Sequence, residues 1–364
     1  MGIYDRDYAA RPAPRGKLSV TMWLIIINCV VFLFTAFPIN GLGWPMIRDY
    51  SRVTPGGGTL TEDTSKYYLP NGAPATSRDL RKPGTDVVRI LRDADGKPAG
   101  KAEYEVVPAL FSWGHFSTMA AFLQLQVWRL VTFQFLHGSL LHIAFNMVGL
   151  WMMGRPVEEN LGARKYLAFY LMCGICGGLM YLILNGLGNI MLAVAPTVEI
   201  PGLLFNRIYT PLVGASAGVF GVIMACAYLS PETQVQLLFP PIALKMRTFA
   251  YAYVLIALVS LLWGTANAGG EAAHVGGAIA GYFFIRNSHL LRDFFDVFTD
   301  SRKSRGGGAK AKDKKPLFMK SEAEKDVEFQ KRVDAVLAKA HEKGIHTLTK
   351  KEQDLLKEAT RRSL

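Results

Sequence analysis

The sequence predicts an all-α polytopic membrane protein with six transmembrane helices, a long extracytoplasmic first loop and a cytoplasmic C-terminal helical hairpin. Three observations carry this. Half of the 364 residues are apolar while charge is crowded into a few segments, the pattern of a membrane protein rather than a soluble one. Six apolar stretches approach the ~20 residues a helix needs to cross a hydrocarbon layer. Lys and Arg are abundant in every second short loop and sparse in the others, which fixes an orientation.

The spans are expected near Val20 to Phe37, Leu136 to Met153, Tyr166 to Leu184, Leu212 to Leu229, Phe249 to Trp263 and Ala272 to Arg286. The last two are short and borrow from their flanks. No removable signal peptide is legible, so the first span is expected to stay as an anchor. Arg6, Arg11, Arg15 and Lys17 precede it; Arg155, Arg164 and Lys165 fill the second-to-third turn, and Lys245 and Arg247 the fourth-to-fifth. All fall on one side. The opposite short loops carry only Arg207, so both termini are expected in the cytoplasm of a bacterial inner membrane. The net charge of +12 then mostly describes the tail, whose expected contacts are anionic lipid or a cytoplasmic partner rather than nucleic acid.

This divides the chain into a cytoplasmic N-terminal segment (1–19), a membrane domain (20–290) whose first loop covers 38–130, a basic flexible linker (291–320) and a helical hairpin (321–364). In the loop, Val87 to Leu91 and Tyr104 to Val107 flank Asp95-Gly96 as a β-hairpin does. Asp93-Ala-Asp95-Gly96 lacks the remaining ligands of a calcium loop and reads as a turn. From Ala109 to Leu130 the chain is aromatic and amphipathic, with Phe111, Trp113, Phe116, Phe122, Trp128 and Arg129, as suits an anchor at headgroup level. Cys29, Cys173, Cys176 and Cys226 all fall in spans, and Cys173-Gly-Ile-Cys176 is read as packing rather than redox chemistry. In the tail, helices over Glu322 to Lys343 and Thr349 to Arg362 break at Gly344; Thr349 and Glu352 match a capping box, and Leu337, Leu348, Leu355 and Leu356 form an apolar seam.

Polar residues inside hydrocarbon are the candidates for chemistry, because their burial is costly. The second, fourth and sixth spans run from outside to inside, so their beginnings meet at the outer face. There lie His137, His142 and Asn146, then Ser216, then His274. Counted from the expected helix starts at 1.5 Å per residue, Ser216 lies roughly 6 Å deep and His142 roughly 9 Å. His142 and Asn146 share one helix face, as do Ser216 and Phe220. Gly214 with Gly218, Ala217 with Gly221, and Gly277 with Gly281 form small-residue surfaces that let helices approach closely. A serine beside a neutral histidine attacks carbonyls, and His142, Asn146 and the backbone N–H groups beginning the fourth span are the donors for an oxyanion. No Asp or Glu is expected to orient His274, which makes a dyad. No metal or cofactor is expected, since the three histidines lack an acidic or thiol partner.

At these residues the chain resembles the rhomboid family of intramembrane serine proteases. Trp128-Arg129 is similar to its first-loop motif, His137-Gly-Ser-Leu-Leu-His142-Ile-Ala-Phe-Asn146 to its second-helix motif, Gly214-Ala-Ser216 to its nucleophile and His274 followed by Gly277 and Gly281 to its last-helix motif. The resemblance implies a six-helix rhomboid-like bundle. It implies Ser216 as nucleophile, His274 as base, His142 and Asn146 as oxyanion donors, Phe220 stacked on the His274 ring, and Glu158 in a structural role. It further implies a mobile fifth span and loop Gly264 to Gly270, and transmembrane segments of single-pass proteins as substrates. Ala217 departs from the family, which commonly has Gly there. The alternative class is a catalytically inactive rhomboid-like protein that binds membrane clients.

Overall fold

The computed structural model describes residues 18–36, 43–52, 60–237, 241–291, 294, 333–340, 348–349, 352–356 and 359. They fall into two compact units, 1–301 and 302–364. In the first, α1 (Val20–Ala36) leads to a sheet of β1 (Gly43–Arg52), β2 (Thr61–Glu62), β3 (Asp86–Arg92) and β4 (Pro98–Pro108). Short helices α2 (Ala109–Gly114) and α3 (Arg129–Thr132) follow, then α4 (Leu140–Leu161), α5 (Ala163–Val194), α6 (Ser216–Leu229), α7 (Met246–Leu262) and α8 (Ala268–Arg286), with the small hairpin β5 (Gln234–Gln236) and β6 (Ala243–Lys245) before α7.

The chain is therefore not all-α. The sheet is antiparallel in the order β1-β4-β3-β2. The hairpin expected from the alternation is present as β3 and β4, with Val87 opposite Tyr104. Its turn is closed by Asp93, whose Oδ1 accepts from Asp95 N at 3.0 Å and Lys97 N at 2.8 Å. Only that pair is legible in the sequence, because β1 carries Pro45 and no clean period-two pattern, while β2 is two residues long. The sheet buries Val87, Leu91, Ala102, Tyr104 and Val106 on one face. Arg89 lies 4.0 Å over the Tyr67 ring and pairs with Glu62 at 3.1 Å.

The helices invert the polarity of a water-soluble bundle. Leu140, Leu141, Phe145 and Trp151 are at least 66% exposed, whereas Asn28, Gln134, Asn146, Glu158 and Asn185 are buried. Large apolar side chains outside and hydrogen-bonded polar groups inside fit a lipid solvent. By length and composition α5 qualifies alone as a membrane crossing, and Arg129–Phe135 with α4 does so as a pair bent by 97°. α1, α6 and α7 are apolar but shorter. Five of the six expected starts move by three or four residues: α4 begins at Leu140, after an N-cap in which Ser139 Oγ accepts from His142 N, α5 at Ala163, α6 at Ser216, α7 at Met246 and α8 at Ala268. Gly269 and Gly270 thus belong to α8, leaving a shorter loop than the seven residues from Gly264 to Gly270.

Two contacts explain how the bundle closes. Glu158 of α4 is buried and receives Val20 N at 2.7 Å, Thr21 N at 2.9 Å and Thr21 Oγ1 at 2.8 Å. It thereby caps α1, whose first N–H groups would otherwise lack acceptors. α6 and α8 meet at glycine: a side chain on Gly277 would strike the Ala217 carbonyl, and one on Gly281 the Gly221 backbone. Gly218 instead faces the Tyr170 ring of α5, and Gly214, outside α6, is no part of a helical small-residue stripe.

In the second unit residues 333–340 and 352–356 are helical. Thr349 N and Oγ1 donate to Glu352 Oε2 at 2.7 and 2.8 Å, which supplies the glutamate arm of the capping box. Lys339 pairs with the same carboxylate at 2.9 Å, and these contacts hold its pKa down to about 2. Val333, Val336 and Leu348 are buried while Leu337 is 50% exposed, so the apolar seam runs through the valines and not Leu337. Most of the expected linker 291–320 and the break at Gly344 lie outside the described residues.

Candidate active site

Ser216 opens α6 two residues after Gly214, whose φ of +134° is a conformation that favours glycine. Ser216 is thus the first helical residue, rather than several ångströms into a helix as counted from Leu212. The helix starts later than the apolar run because Leu212 N is committed to Phe116 O at 2.7 Å and Gly214 N to Phe133 O at 3.0 Å. His274 lies nearly two turns into α8. Its Nε2 is 2.8 Å from Ser216 Oγ.

Phe220, one turn below Ser216, stacks on the His274 ring at 4.3 Å and 9° between planes. Tyr253 of α7 stacks on Phe220 in turn, at 4.5 Å and 15°. The ring of the histidine is thereby fixed through α6 to α7. The contacts at Gly277 and Gly281 bring the two helix backbones close enough for the serine and histidine to meet.

The structure corrects one expectation directly. Glu271 Oε2 is 3.0 Å from His274 Nδ1, and Asn267 Nδ2 donates to Glu271 Oε1 at 3.2 Å. A carboxylate does face His274. Hydropathy starts the sixth span at Ala272, one residue past Glu271, and the helix in fact starts at Ala268. The signal present in the sequence is the three-residue spacing from Glu271 to His274, which puts both side chains on one face of a helix.

His142 lies beside the nucleophile. A Cβ built on Gly214 would be 2.7 Å from His142 Nε2 and 3.5 Å from Ser216 Oγ. The absent side chain therefore leaves room between imidazole and hydroxyl. Asn146 is buried one turn below, with one amide N–H donated to its own helix at His142 O, 2.9 Å away. His137 is buried, its ring edge-on to His142 at 5.0 Å, with Nε2 at 3.5 Å from Ala215 N. His137 supports His142 and the start of α6.

Ala217, which departs from the resemblance, is 1% exposed, and its methyl is directed at Gly177 of α5. A missing side chain on one helix accommodates the added methyl on the other. Away from the Ser216–His274 contact, Arg129 is buried and ties the loop together by donating to Ser112 O at 2.9 Å, His115 O at 2.6 Å and Gln126 Oε1 at 2.6 Å. Burial, and secondarily the Arg129 guanidinium, push the His115 pKa down to about 4. The adjacent Trp113 and Trp128 rings stack at 6.1 Å and 20°, both largely exposed. All four cysteines are free.

Fold and site together define a helical membrane protein with a serine at the start of one helix in hydrogen-bond contact with a histidine nearly two turns into another packed tightly against it. Residues 124–287 match the family model described as Rhomboid domain, so this part of the chain is a rhomboid domain. Among its relatives, Rhomboid protease GluP of Bacillus subtilis is 28% identical over 157 residues, 43% of this chain and 25% of that protein. The human presenilin-associated rhomboid-like protein, mitochondrial, is 26% identical over 189 residues, 48% of this chain and 44% of that protein. Rhomboid protease GlpG of Pectobacterium atrosepticum is 46% identical over a 55-residue stretch, 15% of this chain and 20% of that protein. The chain spans less than half the length of each of these curated relatives.

Proposed function

We propose that this protein is an intramembrane serine endopeptidase that hydrolyses peptide bonds in or near transmembrane helices of other membrane proteins. The observation that carries the reading is the 2.8 Å contact between His274 Nε2 and Ser216 Oγ. In the proposed reaction Ser216 Oγ attacks the scissile carbonyl while His274 Nε2 takes the hydroxyl proton. The developing oxyanion lies in the space beside Gly214, toward His142 Nε2 and the N–H groups that begin α6; Asn146 adds a donor one turn below. His274 returns the proton to the leaving amine. Water, activated by the same imidazole, then releases the acyl group.

Substrate access follows from α7. Only Met246, Ala250, Ala257 and Leu261 of that helix are buried, so it is held lightly, and its movement would open the pocket toward lipid. Substrates are transmembrane segments of single-pass proteins, locally unwound near the outer interface, since backbone hydrogen bonds in lipid resist opening. The proposed topology has six spans with both termini cytoplasmic, in a bacterial inner membrane; the basic tail contacts anionic lipid or a cytoplasmic partner. Two relatives carry the word protease in their names, which favours an enzyme over a client-binding protein.

The test is cleavage of a model single-pass substrate, with labelling by a serine-directed fluorophosphonate. Ser216→Ala is expected to abolish both, and His274→Ala to reduce both by on the order of 10³-fold or more. Wild-type labelling of Ser216→Ala would remove the nucleophile assignment, and with it the enzyme reading.

A further inference from the structure

Two nitrogens of one imidazole have unequal neighbours here. Nε2 faces the Ser216 hydroxyl at 2.8 Å and Nδ1 faces a Glu271 oxygen at 3.0 Å. A neutral imidazole carries one proton, and an ionised carboxylate only accepts hydrogen bonds. Glu271 therefore draws the proton to Nδ1 and leaves the Nε2 lone pair facing the serine. That is the tautomer a general base needs.

The carboxylate is itself held. Asn267 Nδ2 donates to its other oxygen at 3.2 Å. Glu271 lies in the first turn of α8, where the unpaired N–H groups of the helix favour a negative charge. Its side chain is 19% exposed against 16% for His274, so the pair is shielded from bulk solvent while reaching the outer end of the bundle. Phe220, stacked at 4.3 Å, prevents the ring from tilting away from both partners.

We propose that Glu271 is a positioning residue for His274, which adds a third, orienting member to the Ser216–His274 dyad its sequence suggests. This rests on the reading of Ser216 as nucleophile and His274 as base. Glu271 sets the tautomer, holds the ring, and stabilises the imidazolium formed when His274 takes the serine proton; it does not itself become protonated. It contacts no substrate.

The experiment uses the full chain reconstituted in lipid, with kcat and KM on a model single-pass substrate, the fluorophosphonate labelling rate, and Tm. In Glu271→Gln the amide oxygen satisfies the Asn267 donor, so the NH₂ group faces Nδ1 and pulls the ring into the wrong tautomer. We expect kcat and the labelling rate to fall on the order of 10²-fold, with KM within about twofold and Tm unchanged. Glu271→Asp retains the charge on a shorter stem and is expected to recover about a tenth or more of wild-type kcat. Wild-type kcat in Glu271→Gln, with His274→Ala inactive, would overturn the positioning role and leave the dyad intact. A Tm loss in Glu271→Gln with equal activity loss in Glu271→Asp would also overturn it, as a packing role. Full labelling of Ser216→Ala or His274→Ala would instead overturn the underlying reading.

Discussion

The sheet of residues 43–108 and the α6–α8 pair are stabilised by opposite means within one compact unit. The sheet buries alternate apolar residues on one face and ties its edge with charge: Arg89 pairs with Glu62 and lies over Tyr67, and Arg48 pairs with Asp86 at 2.9 Å. The helix pair has glycine against backbone, with Gly277 on Ala217 and Gly281 on Gly221. In water, removing apolar surface drives association. Lipid offers no such gain, so helices there associate through close contact and shape. The sheet should therefore tolerate loss of one contact, whereas the helix pair should not tolerate gain of one side chain.

The largest expected effect tests the helix side of that contrast. Gly277→Leu forces a branched side chain into the Ala217 carbonyl, and the fixed separation of α6 and α8 leaves it nowhere to go. We expect a loss of more than ~3 kcal/mol, seen as a large Tm drop or failure to recover folded protein. Activity should vanish with it, since the same contact sets the distance from Ser216 to His274. A Gly277→Leu protein with wild-type Tm would break the comparison.

A smaller effect belongs to the loop between sheet and bundle. His115 is held neutral, with its folded pKa pushed from 6.5 down to about 4. Between those values the unfolded chain binds more protons than the folded one, so stability is full above about pH 6.5 and falls as pH drops toward 4. The integrated loss is about 3 kcal/mol for this buried group. Tryptophan fluorescence of the stacked Trp113 and Trp128 should report acid loosening of the loop, and His115→Gln should flatten that limb. An unchanged acid limb in the variant would show that another group governs it.

The smallest expected effect tests the sheet. Arg89→Ala removes a partly buried ion pair and a cation–π contact, together about 1–2 kcal/mol, and the proposed peptidase activity should be unaltered. Added salt should narrow the difference between wild type and variant, because screening weakens the pair. A Tm loss as large as that of Gly277→Leu would mean that charge dominates sheet stability.

Much of the site is legible in the amino-acid sequence alone. Orientation and helix spacing draw Ser216, His274, His142 and Phe220 together, and the four side chains lie around the Ser216–His274 contact. The capping box at Thr349 and the hairpin around Asp95 are equally legible, because both are local patterns in which side chains answer neighbouring backbone groups. Glu271 escapes sequence reasoning for a boundary reason: hydropathy marks where a chain becomes apolar, whereas a helix starts where its backbone hydrogen bonds do. The same offset puts Ser216 inside an expected helix rather than at its first residue. The four-stranded sheet is only half visible, since β1 and β2 pair with strands distant in sequence and carry little pattern of their own.

The sequence by itself determined the apolar helices, the polar side chains available among them and the small residues that let them touch, because each depends on composition and periodicity along the chain. Only the tertiary structure decided which oxygen faces which nitrogen. Glu271 reaches His274 Nδ1 at 3.0 Å while Ser216 meets Nε2 at 2.8 Å, and that assignment depends on where α6 and α8 begin and how closely Gly277 and Gly281 let them pack. Hydrogen-bond chemistry is set within a few tenths of an ångström, a precision that no spacing along a sequence carries.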